Sequence, residues 1–216
     1  MTTKQKLQQF KDYYLGGTLA VIAAAALIIF MVSRFLMPQK EAVLNIAVFD
    51  TELSDEAEAQ LAQEIRTSLG LNEDAEINVN SGFTSVNTNE YSRLSILAAD
   101  GKVDVVIAGR EAFGELAGYG YFKDLSLYLP KDMKDAYAAD LMSFTYTSDA
   151  AAEDAEEMGE LATGDYPFGL SLSGSARWKA MTTESSMAAE EPVLGVIMES
   201  EKTDSVCGCI RVMMGE

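Results

Sequence analysis

From Tyr13 to Ser33 the chain runs twenty-one residues without a charged side chain (YYLGGTLAVIAAAALIIFMVS). A helix rising ~1.5 Å per residue over such a run covers roughly the 30 Å hydrocarbon core of a bilayer. Tyr13 and Tyr14 stand at one edge, where amphipathic rings prefer the interface, and Arg34 and Lys40 bound the other. A cleavable leader would have a shorter apolar core and a small-x-small site. Phe35-Leu36-Met37-Pro38 follows instead, and no cysteine stands there to carry a lipid. The run therefore reads as a transmembrane anchor centred on residues 15–32. Lys4, Lys6 and Lys11 precede it, which places residues 1–12 in the cytoplasm and the rest of the chain outside by the positive-inside tendency. The expected partition is a short N-terminus at 1–12, an anchor at 13–37, a linker at 38–42 and one extracytoplasmic domain at 43–216.

Charge separates the same parts. Of 16 basic and 34 acidic residues, residues 1–38 hold four basic and one acidic. The remainder carries 12 basic and 33 acidic residues, a net of −21. A surface this acidic repels phosphate backbones and anionic headgroups, so nucleic acid is not an expected partner. Histidine is absent from all 216 residues. That excludes Ser-His-Asp and Cys-His catalysis and the common His-containing zinc sites.

The domain alternates short apolar runs with helical stripes. Residues 43–49 (VLNIAVF) read as a buried strand. Ser54 offers an N-cap, Asp55 and Glu56 suit the positive helix end, and Ala57, Leu61, Ile65 and Leu69 recur every four residues before Gly70. Residues 76–80 (EINVN) form a second strand, with Ser81-Gly82 as a turn. Tyr91, Leu94, Leu97 and Ala98 make the next stripe, and residues 103–108 (VDVVIA) the third strand, followed by a short helix with Phe113, Leu116 and Ala117. Strand, helix, strand, helix, strand predicts an α/β domain of three layers around a mostly parallel sheet. Farther on, Leu125, Leu127 and Leu129 alternate, residues 131–139 read as helical, and strands are expected at 141–147, 166–173 and 193–199. A closing helix at 203–214 turns Val206, Ile210 and Met213 inward. Residues 148–165 hold seven acids and no base, and read as a solvated acidic loop.

In open α/β sheets, ligands sit beyond the carboxyl ends of parallel strands. That rule gathers Asp50, Thr51, Ser81, Gly82, Gly109 and Arg110 as candidate ligand-binding residues, against the alternative that they are turn and cap residues. Arg110, able to fork onto a carboxylate, is the most informative, although a neighbouring acid such as Asp104 or Glu111 can claim it. Ser173 and Ser175, before a helix bearing Arg177, Trp178 and Lys179, offer either an anion cradle or a serine cap. Cys207-Gly208-Cys209 lacks the partners for a tetrahedral metal site and the spacing of a redox motif. Cys209 is expected in the core and Cys207 half exposed. The acidic run lacks the spacing of a calcium loop. No cofactor, metal or catalytic residue is called for.

The stretches LNIAVFD, VDVVIAGREAFGELAGYGYFKDLSLYL, YPFGLSLSGSARWKAM and EPVLGVIMESEKTDSVCGCIRVMMG, behind a Lys- and Tyr-flanked anchor, resemble extracellular solute-binding proteins of the type 2 periplasmic-binding fold in a membrane-anchored bacterial form. The resemblance covers about two-thirds of the domain. It implies that residues after the third strand close a first lobe and that the late strand and helix return to it. It also implies a non-enzymatic binding module, of the kind that accompanies a transporter, taking a small solute or an envelope protein as partner. Only about 85 residues separate Ala108 from Val193, too few for a second lobe. A one-lobed derivative is therefore expected, and an envelope interaction or structural subunit without small-molecule capture is the alternative.

Overall fold

The protein is described here from a computed structural model, which covers residues 15–36, 41–147, 161–183, 185 and 187–216. It divides into two units, Met1–Glu41 and Ala42–Glu216. In the first, helix α1 spans Leu15–Leu36 and has no acid in its first turn. Side chains are described for its residues 20–32, and these are exposed. Among the described residues no helix is long and apolar enough to cross a membrane.

The second unit is α/β. Strand β1 is Leu44–Phe49, helix α2 Asp55–Ser68, β2 Ile77–Phe83, α3 Thr88–Ala99, β3 Val105–Gly109 and α4 Arg110–Gly118. Two short helices follow, α5 Leu125–Tyr128 and α6 Lys131–Ala136. Then come β4 Leu141–Tyr146, β5 Gly164–Ser171, α7 Ala176–Thr182, β6 Pro192–Val196 and α8 Thr203–Met214. Ser54 caps α2 as its position predicts, its hydroxyl accepting the Ala57 amide at 3.2 Å.

The six strands lie in the order β2-β1-β3-β6-β5-β4. The first three are parallel, and every pairing from β3 to β4 is antiparallel. The sheet is therefore mixed, with parallel strands confined to one side, instead of mostly parallel. Connections explain the reversal: a parallel pair needs a crossover over one face, whereas a chain that turns round at one edge must come back antiparallel. After β5 and α7 the chain stays at the edge where β3 ends and enters β6 at Pro192, opposite Gly109. Other expectations shift locally. Ser81 and Gly82 lie inside β2, not in a turn after it, and residues 125–128 are helical. Asp165 belongs to β5, where its carboxylate accepts the Thr145 hydroxyl at 2.6 Å. The rest of the acidic run, 148–160, lies outside the described residues.

Both faces of the sheet are covered. Leu44, Ile46 and Val48 point to a face packed by α2, α5, α6, α7 and α8, through Leu61, Ile65, Leu125, Met133, Trp178, Val206, Ile210 and Met213. Ala47 and Phe49 point to the other, packed by α3 and α4 through Leu94, Ala98, Phe113 and Leu116. This two-sided burial is why β1 reads as a continuous apolar run. The Phe113 and Phe122 rings stack at 4.2 Å over Gly195, where a Cβ would come within 2.6 Å of Phe113. On the first face, a Cβ at Gly208 would meet Leu69 at 2.4 Å. The CGC sequence is thus a packing motif: the glycine admits Leu69 from the end of α2. Cys207 is buried as well as Cys209, against the expectation of half exposure, because the cluster that includes Tyr128 covers it.

At the edge where β1 and β3 begin, Asp104 is 1% exposed. Its carboxylate accepts Asn45 N at 2.8 Å, Asn45 Nδ2 at 3.3 Å, Ser200 Oγ at 2.8 Å and Lys202 Nζ at 3.0 Å. Asn78 Nδ2 extends the network to β2 by donating to Asn45 Oδ1 at 3.0 Å.

Breaking a buried ion pair from one side leaves an uncompensated charge. Asp104→Ala is therefore expected to cost about 3–5 kcal/mol, read as a fall in the urea midpoint at unchanged slope. Replacing both cysteines with alanine should leave the domain folded with a modest loss of stability. Burial pushes the Cys209 thiol up to about 12, and raises Cys207 too, the latter partly offset by Arg211. A thiol whose folded pKa is raised gives up its proton more readily when unfolded, so its contribution is intact below the ordinary value of ~8.5 and is lost as pH climbs. Stability should fall from about pH 8.5 toward 12, and less steeply in Cys209→Ala. Unchanged alkaline unfolding in that variant would contradict the assignment.

Candidate functional site

The carboxyl ends of β1, β2, β3 and β5 meet at one edge of the sheet, since β5 is two antiparallel steps from β3. An open groove of about 810 Å³ lies there. Asp50, Gly109 and Arg110 line it, as the strand-end rule expects. So do Tyr91 from α3, Glu111 and Glu115 from α4, Phe144 from β4 and Glu190 and Glu191 ahead of β6. Carboxylates outnumber the single guanidinium along its walls.

Asp50 takes a left-handed backbone, φ 50°, which short polar residues tolerate better than most. Its amide donates to Phe83 O at 3.0 Å, and its carboxylate accepts Ser85 N at 2.8 Å and the Thr84 hydroxyl at 3.2 Å. Asp50 therefore ties the end of β1 to the loop after β2. Tyr91 stacks on Phe49 at 6.2 Å, and its hydroxyl donates to Glu115 Oε2 at 2.8 Å. Burial and that carboxylate raise the phenol above its ordinary range, so it stays a donor. Arg110, the first residue of α4, pairs with Glu191 at 3.2 Å with both side chains largely exposed. Its partner is thus neither Asp104 nor Glu111. Asp104 belongs to the far edge, with Lys202.

The other candidates are used internally. Thr51 is buried, its hydroxyl accepting Ala189 N at 2.9 Å. Ser81 donates its hydroxyl to Glu58 Oε1 at 2.6 Å and accepts Leu53 N at 3.2 Å, fastening β2 to α2. Gly82 donates its amide to Asn80 Oδ1 at 2.9 Å. Ser175 is 5% exposed, accepts Trp178 N at 3.0 Å and donates to Met213 O at 2.5 Å, clasping α7 to α8 in the first cluster. The serine cap is the arrangement seen. Ser173 is exposed, its amide on Ser171 Oγ at 3.3 Å. Neither serine lines the groove.

Tyr91, Glu115, Phe144 and the 189–191 segment escaped the strand-end rule. Tyr91 and Phe144 look like ordinary stripe positions, and nothing in local spacing shows that residues 189–191 return to strand ends 80 to 138 residues earlier. Among the described residues, no cluster of three or more His, Cys, Asp or Glu side chains is placed to hold a metal ion. A second groove of about 600 Å³ lies at the other end of α4, among Tyr119, Lys123, Leu127, Tyr128, Tyr146 and Met198.

The Ser81 hydrogen bonds make a clear prediction. Ser81→Ala leaves the Leu53 amide without its acceptor, while Glu58 keeps the residue-81 amide, and should lower stability by about 1–3 kcal/mol in chemical denaturation. Because Ser81 does not face the groove, any ligand bound there should keep its affinity. No family model, curated protein or solved structure matches the chain.

Proposed function

We propose that the chain is a membrane-anchored, non-enzymatic extracytoplasmic binding module, similar to one lobe of a solute-binding protein, whose ligand seat is the groove at the carboxyl ends of β1 and β3. The groove itself carries the reading: about 810 Å³ falls within the usual range for small-ligand pockets, and it lies at the strand ends where α/β sheets bind ligands. The late strand β6 and helix α8 rejoin the sheet beside β3, as a single lobe requires. The uncharged run within Leu15–Leu36, apolar on every side and preceded by three lysines, supports the anchor and a cytoplasmic N-terminus.

An interaction subunit is the second reading. Its support is the exposure of Tyr119, Leu127 and Met198 around the second groove, since contiguous exposed apolar side chains mark protein contacts.

Two measurements test the proposal. Protease added to intact cells should remove the domain, and full protection until lysis would invert the orientation. A solute library screened by thermal shift on the full chain in detergent should yield a ligand that raises the melting temperature. Gly114 lines the groove, and a Cβ there already meets the Phe144 ring at 3.6 Å. Gly114→Phe should therefore fill the groove and abolish that shift. A ligand indifferent to Gly114→Phe, or no ligand at all, would remove the groove from consideration and leave the interaction reading.

A further inference from the structure

Ser185 and residues 187–191 lie across the strand ends as a strap. Its first part is held by short bonds: Ser185 Oγ donates to Glu52 O at 2.7 Å, Glu52 N donates to Met187 O at 3.0 Å, and Ala189 N donates to Thr51 Oγ1 at 2.9 Å. Its last part is held differently. Arg110 N donates to Glu190 O at a long 3.3 Å, and the Arg110 guanidinium meets the Glu191 carboxylate at 3.2 Å with both groups exposed. An exposed pair of that kind contributes ~0–1 kcal/mol. Glu191 also takes φ 45°, a left-handed conformation that costs a non-glycine residue energy. Over Gly109 the strap lies so close that a Cβ would sit 3.2 Å from Glu190 O.

We propose that residues 189–191 are an autoinhibitory occupant of the groove. A backbone oxygen and a carboxylate, from Glu190 and Glu191, take the two donors that Arg110 would present to a carboxylate ligand: the first free amide of the nine-residue helix α4, and the guanidinium. A carboxylate-bearing solute then competes with the strap and does not enter a vacant seat. Its apparent affinity is lowered by the fraction of molecules whose strap is closed. The contrast in hold says which part lifts: Ser185, Met187 and Ala189 stay fastened to Thr51 and Glu52, and Glu190-Glu191 swings. This inference rests on the groove being the ligand seat, and adds the ligand class and its control.

Succinate and its uncharged counterpart succinamide serve as probes, titrated calorimetrically into the full chain in detergent at physiological ionic strength, where screening falls to about 8 Å. Glu191→Gly removes the carboxylate while a glycine holds the left-handed backbone without strain. Glu191→Gln keeps the side-chain volume and serves if the glycine variant loosens the fold. Both should bind succinate more tightly than the unaltered protein, by up to about fivefold, with succinamide unchanged. The gain should vanish when Arg110→Ala is added. Equal succinate affinity with and without the Glu191 changes, or a gain that survives Arg110→Ala, overturns the strap as occupant. A groove ligand blocked by Gly114→Phe but indifferent to Glu191 sinks the strap alone. Failure to find any ligand sensitive to Gly114→Phe sinks the groove reading beneath it.

Discussion

A buried carboxylate organises this domain. Asp104 stands almost wholly out of water, and a charge in that position is tolerated only when donors surround it. The donors come from β1 and from the chain just past β6: Asn45 twice, Ser200 once and Lys202 once. Backbone bonds reinforce the junction, with Asp104 N on Asn45 O at 2.9 Å and Ile197 N on Asp104 O at 2.9 Å. Lys202 follows Val196 by six residues, and Val196 pairs with Val105, next to Asp104. Lysine can reach the carboxylate from there only if β6 ends where β3 begins, which requires β6 to run antiparallel. The same constraint starts α8 at Thr203 on the first face, and so brings Gly208 against Leu69 and both cysteines into the core.

Where each element lies along the chain was largely legible, because burial writes its period into sequence. The α2 stripe under Ser54 and the inward set Val206, Ile210 and Met213 follow a spacing near 3.6 residues, and β1 and β3 show as short continuous apolar runs because both faces are covered. Direction was not legible. An apolar run carries no record of whether its neighbour runs with it or against it, so β4, β5 and β6 could not be told from parallel strands. Ser81-Gly82 misled for a related reason. In an edge strand a polar residue can be fixed by a helix, here by Glu58, and the local signal for that is the same as for a turn. Cys209 lies in the core as expected, while the burial of Cys207 was not legible because the cluster that covers it includes Tyr128, 79 positions away in sequence.

The candidate site divides along similar lines. Asp50, Gly109 and Arg110 reach the groove because their place follows from strand ends alone. Thr51, Ser81 and Ser175 have the right chemistry and sit at the same edge, yet their hydroxyls are committed to Ala189, Glu58 and Met213. Buried polar groups seek partners, and a rim made by four strand ends has many to satisfy. Which of them remain for a ligand is decided by the loops that fold over the rim, and those loops have no periodicity to read. Among the described residues, the two non-glycine residues with left-handed backbones, Asp50 and Glu191, line the groove, so strain gathers where the loops meet.

A domain with two lobes excludes water from its ligand by closing one lobe on the other. In the single-lobe reading proposed above there is no such partner, and the strand ends are covered by the chain itself. Ser185 and residues 187–191 do this, held firmly at Thr51 and Glu52 and weakly at Arg110. The lock at Asp104 lies at the opposite edge of the sheet and shares no hydrogen-bonding residue with the strap. Lifting Glu190 and Glu191 would therefore leave β1, β3 and β6 joined, so the rim can open without loosening the core. Rigidity at one edge and a replaceable contact at the other are what the proposed strap requires, since the rim can then change while the domain stays folded.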